Sequence, residues 1–132
     1  MLRLLIFMAL SYPALAQETV SSLPYSSVYE QRRSEQLIAR GLLHMEARDF
    51  RAAEKTFLDA MQIAKVNYGL RAPQQRAALG HLIEALLAQQ KWQLAGDQLS
   101  YFEWLNDEIY LRDFYEYLRG TKQLSKLLYR AS

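Results

Sequence analysis

"FRAAEKTFLDA", residues 50–60, decides the fold. Phe50 is followed by Ala53, Phe57 and Ala60, the spacing that puts side chains on one face of a helix. "WQLAGDQLSYF", residues 92–102, repeats the pattern with Trp92, Ala95, Leu99 and Phe102, and its first residue stands 42 positions after Phe50. Bulky and small residues alternating on one face mark a close helix crossing. A methyl fits where the two backbones approach, and the larger side chains fill the wedges on either side. One such crossing in each half of the chain predicts two helical hairpins.

Outward from these stretches the helical spacing continues. Ser27 and Glu30 have the offset of a capping box at the head of a first helix, whose stripe is Leu37, Ile38, Gly41, Leu42 and Met45. The second helix runs from about Asp49 to "NYG", where Gly69 is placed to end it in the left-handed conformation. Pro73 suits the first position of a third helix, which carries Leu79, Leu82, Ile83, Leu86 and Leu87. A fourth extends from Trp92 to about Ile109, a turn falls near Arg112 and Asp113, and a fifth covers Phe114 to Tyr129. No alternating strand pattern of any length occurs, so the fold class is all-α.

Composition excludes several functions. With 51% hydrophobic residues the chain can bury a core, and its formal charge of +2 is too small for a nucleic-acid-binding face. The absence of cysteine removes disulfides, thiol nucleophiles and thiolate metal sites. "MLRLLIFMALSYPALA", residues 1–16, has one early positive charge, an apolar run and small residues before Gln17, the three parts of a secretory signal. Its apolar run is about half of the roughly 20 residues that cross a bilayer, and Pro13 breaks it. The expectation is cleavage after Ala16, a flexible leader over 17–25, and a helical domain over 26–132 that is periplasmic or secreted, with no stable membrane insertion.

Two hairpins at a fixed offset followed by one more helix is the pattern of a repeat array. Gly41, Phe50, Ala53, Phe57 and Ala60, then Leu82, Trp92, Ala95 and Leu99, resemble the tetratricopeptide repeat in its longer-period form. The resemblance covers roughly residues 34–130. It implies a right-handed solenoid with units over about 26–69 and 73–111 and a last helix over about 113–130. The chain departs from the pattern at Ile83, where a small residue is expected, at Phe102 in place of an alanine, and in having no second helix after the fifth. That fifth helix is either a cap, with charged residues outward, or the start of an incomplete third unit; the cap is favoured.

Catalytic chemistry is not expected. His44 falls at a packing position, and His81, expected to be exposed on the inner side of the array, stands one turn from Glu84 without a third ligand. No glycine-rich phosphate loop or nucleophile elbow is present. No catalytic residue, cofactor or metal is therefore assigned.

The resemblance implies that the first helices line a groove that takes a protein or peptide. Its groove positions are Ile38, Leu42 and Met45, then His81 and Glu84, then Arg119, Lys122 and Lys126 on the last helix. The groove would be apolar at one end and basic at the other, suited to an acidic or amphipathic peptide. The plainer reading of the three basic residues is the solvated face of a cap. Within "YFEWLNDEIYLRDFYEYL", residues 101–118, Phe102, Leu105, Ile109, Phe114 and Leu118 read as core, while Tyr101, Trp104 and Tyr115 read as an exposed aromatic edge. The functional expectation is a non-catalytic adaptor acting outside the cytoplasm. The alternative is a structural subunit that self-associates, or docks on a larger assembly, through that edge.

Overall fold

Two aspartates set where helices begin. Asp49 accepts a hydrogen bond from the Ala52 amide at 3.2 Å, and Asp113 accepts one from the Glu116 amide at 3.1 Å, each satisfying a donor that a helix start leaves open. The computed structural model describes residues 25–110 and 112–132, with the backbone alone for residues 25–28 and 30. Five helices form: α1 (Tyr25–Glu46), α2 (Phe50–Tyr68), α3 (Gln75–Ala88), α4 (Trp92–Tyr110) and α5 (Phe114–Ala131). Among the described residues there is no strand, and the fold is all-α. The expected signal segment and nearly all of the leader lie outside the described residues, as do the side chains of the Ser27–Glu30 capping box.

Three boundaries differ from the sequence reading. α1 starts at Tyr25, two residues before Ser27. α3 starts at Gln75, because Pro73 heads a preceding turn whose carbonyl accepts from the Arg76 amide at 3.1 Å. Gly69 ends α2 with φ of 94° but ψ of 168°, an extended conformation open to glycine rather than the left-handed helical one. The two hairpin turns repeat each other: Arg48 and Gln90 stand 42 positions apart, and both are left-handed, with φ of 59° and 58°.

Packing follows the alternation of size. Ala53, Phe57, Ala60 and Ala64 of α2 are at most 1% exposed, and α3 contributes Leu79, Leu82 and Ile83 at the same level. Complete burial of each large apolar side chain stabilises by roughly 1.5–3 kcal/mol. α4 adds Ala95, Phe102, Leu105 and Ile109, whereas α5 buries only Gly120 and Leu127. α1 touches α2 and α3, α3 also touches α2, α4 and α5, and α4 touches α5; the backbones of α2 and α4 stay apart, and Lys65 over the Tyr101 ring reaches between them. The odd-numbered helices therefore lie side by side in one layer.

Three expected core residues are exposed instead. Trp92 is 61% exposed. Gln89, in the turn after α3, reaches back to the start of α2 at the Phe50 carbonyl (3.3 Å) and Glu54 (2.7 Å), but the residue 42 positions later is Ala131, too short to reach the start of α4 at Trp92. Phe114 and Leu118 are 55% and 47% exposed, because no described helix covers that side of α5.

Candidate helix-lined binding face

The groove residues belong to the layer of α1, α3 and α5. On α1, Ile38 and Met45 are partly buried against the core, and Leu42 is exposed at the margin. On α3, the ring of His81 stacks on Phe57 with centroids 5.4 Å apart. His81 is thus half-buried, not exposed as the sequence reading placed it, because α2 lends it an aromatic floor.

Glu84 is held from two sides. His81 Nδ1 lies 3.2 Å from one carboxylate oxygen, and Arg130 of α5 pairs with the other. Burial, followed by the positive charge of Arg130, pulls His81 below the ordinary imidazole range. Glu84 alone would favour the charged ring, but its charge is already answered by Arg130. The trio joins α3 to α5 and leaves no carboxylate on this stretch without a partner.

On α5, Arg119 donates to Glu116 at 2.7 Å, while Lys122 and Lys126 are exposed and have no carboxylate partner among the described residues. A shallow cleft of about 460 Å³ is lined by Ser125, Lys126, Tyr129 and Arg130. Unpaired ammonium groups beside a cleft can take a carboxylate or phosphate from a partner. Among the described residues, no three His, Asp or Glu side chains gather at a metal-holding distance. No described helix is long and apolar enough to cross a membrane.

The aromatic edge divides. Tyr101 is only partly exposed, and its hydroxyl donates to Gln75 Oε1 at 2.7 Å while Lys65 sits 4.8 Å above its ring. Its place in an exposed edge is therefore corrected: Gln75 draws it onto the α2–α3 loop, where the Gln75 amide donates to the Gly69 and Leu70 carbonyls. Trp104 stacks on it at 5.6 Å and stays 41% exposed. Tyr115 is on a different helix and is 78% exposed.

Two features carried no signal that the sequence reading used. Arg76 occupies a stripe position of α3 yet is buried, pairing with Glu116 and donating to Asn106 Oδ1 at 3.3 Å. Asn106 in turn donates to Thr121 at 3.2 Å, and the Gln123 amide donates to the Arg76 carbonyl at 3.0 Å. This network fixes α5 to α3 and α4. The other is a cleft of about 710 Å³ on the open side of α1 and α2, where Arg32, Arg33 and Arg40 stand with Tyr29, Leu37 and Ile63. The cluster of arginines at 32, 33 and 40 was its visible trace.

In comparisons with known proteins, no family model, curated protein or solved structure matches this chain.

Proposed function

We propose that this chain is a non-catalytic binding module of the tetratricopeptide-like kind, acting outside the cytoplasm, which takes a protein or peptide on the face made by α1, α3 and α5. The observation that carries this reading is the order of contacts. α1, α3 and α5 touch in succession while the backbones of α2 and α4 stay apart, so helices from different hairpins offer one continuous surface. Exposed Leu42 at one end and unpaired Lys122 and Lys126 at the other give that surface an apolar anchor point and a basic terminus.

The reading is tested by affinity capture from an envelope fraction on three baits: the native chain, Leu42→Asp, and Lys122→Glu with Lys126→Glu. A protein retained by the native chain and lost by both variants supports the groove. Equal retention on all three places binding elsewhere and removes it. Helical circular dichroism of each bait shows that loss is not unfolding.

A further inference from the structure

We infer that the outward side of α5 is a docking surface for an acidic amphipathic helix of a partner protein, seated as α2 is seated on α1. The surface borders the proposed groove at Lys122 and Lys126, but its apolar residues lie outside the groove and the inference does not rest on that reading.

The 42-residue register aligns Ser34 with Arg76 and Leu118, Gly41 with Ile83 and Ser125, and His44 with Leu86 and Leu128. The members on α1 and α3 are buried or half-buried, whereas all three on α5 are exposed. On the opposite side the order reverses. Gln36 and Arg40 are exposed on α1, but their counterparts Ala78 and Leu82 on α3 are buried, and Gly120 and Leu124 on α5 are covered. α3 is thus covered on both sides, and α1 and α5 on one each. The bare side of α1 is largely polar. That of α5 holds Phe114, Leu118 and Leu128 at 55%, 47% and 51% exposure.

The centre of this surface is small. Ser125 stands at the register of Gly41, the place on α1 over which the Phe57 ring lies. The hydroxyls of Thr121 and Ser125 donate to carbonyls of their own helix at 3.1 and 3.0 Å, so they ask no hydrogen bond of a partner. A notch between apolar ends accepts the ridge of a helix, with an aromatic over Ser125. One border of the notch is the body of the protein, and the other carries Lys122 and Lys126. Acidic residues on the matching flank of the partner complete the fit.

Charge argues against a second copy as the occupant. An antiparallel two-fold pairing through this surface would set both copies' Lys122 and Lys126 along the same border. The shallow centre argues against a lipid surface, since an interfacial helix needs a continuous apolar face to sink.

The test is binding of a synthetic amphipathic peptide of about 18 residues, five helical turns, to the full 132-residue chain by fluorescence anisotropy. The peptide has a phenylalanine within a leucine–alanine stripe and glutamates on one flank; a twin carries lysines instead. The expected result is saturable binding of the acidic peptide, weakened about tenfold or more by Leu118→Asp and unaffected by Leu42→Asp. Lys122→Glu with Lys126→Glu should reverse the preference toward the lysine twin, a gain that unfolding could not produce. Absence of saturable binding overturns the proposal, as does binding indifferent to Leu118→Asp. So does a homodimer lost with Leu118, or attachment to phosphatidylglycerol vesicles without peptide binding.

Discussion

The ring of Phe57 occupies the space that a side chain on Gly41 would need: a β-carbon built there would lie 2.7 Å from Cζ. Phe57 is fully buried and cannot swing aside. Gly41→Ala should therefore destabilise by about 1–3 kcal/mol through overpacking, outweighing the gain of up to about 1 kcal/mol in helix propensity. Gly96 in α4 has nothing within 4 Å of such a carbon, so Gly96→Ala should stabilise by about 0.5–1 kcal/mol. Urea midpoints moving in opposite directions would bear out the pair; equal shifts would contradict the close crossing.

Arg76 is the buried charge that ties the last helix down. Arg76→Met takes the donor from Asn106 Oδ1 and leaves Glu116 with Arg119 alone. Glu116 keeps some access to water, with its side chain 26% exposed, so a loss of about 2–3 kcal/mol is expected rather than the larger penalty of a fully buried orphan. Adding Glu116→Gln should return part of that loss. A double-mutant cycle without coupling would show that the pair does not hold α5.

Stability should fall on mild acidification. Burial and Arg130 hold the folded-state pKa of His81 below its ordinary value of 6.5, so the unfolded chain binds a proton more readily. The contribution is complete above that value, declines as the pH drops beneath it, and is gone below the folded-state pKa. A His81→Phe variant should lose less stability than the native chain between about pH 7.5 and 5. Parallel curves would show that His81 is not the group responsible.

The two aspartate caps should behave differently when removed. Asp49→Ala and Asp113→Ala each take away a helix-start acceptor, a loss of about 1 kcal/mol. α2 is anchored by six buried residues, so the first change should lower global stability; α5 has only two, so the second should open that helix locally. Amide exchange separates them: faster exchange confined to the first turns of α5 is expected for Asp113→Ala alone.

The helices were legible because their stripes are made of residues whose burial depends on local spacing. Ala53, Phe57 and Ala60 are found where the opening stretch puts them, and the α4 start at Trp92 is the one expected. Side-chain fate was less legible. Phe114 and Leu118 look like core in the sequence because periodicity states that a face is apolar without stating whether anything covers it. Tyr101 turned inward for a hydroxyl acceptor 26 residues away, and Arg76 is buried because Glu116 lies 40 residues away in sequence yet beside it in space. Pairings of that range leave no periodic mark. Of the candidate groove residues, Leu42, Lys122 and Lys126 are exposed, while His81 and Glu84 are engaged with Phe57 and Arg130.

α3 is the helix that meets all four others; without it the pairs α1–α2 and α4–α5 touch through side chains such as Lys65 over the Tyr101 ring, with their backbones apart. Most of what these two pairs share passes through residues 75–88, and the loop before that helix adds Arg71 against Glu108. Losing that segment would leave two isolated hairpins, each too small to hold its shape in water, so the chain has no stable halfway state built from its ends. Cooperativity here resides in the shortest of the described helices, and a disturbance at its centre reaches the helices on both sides at once.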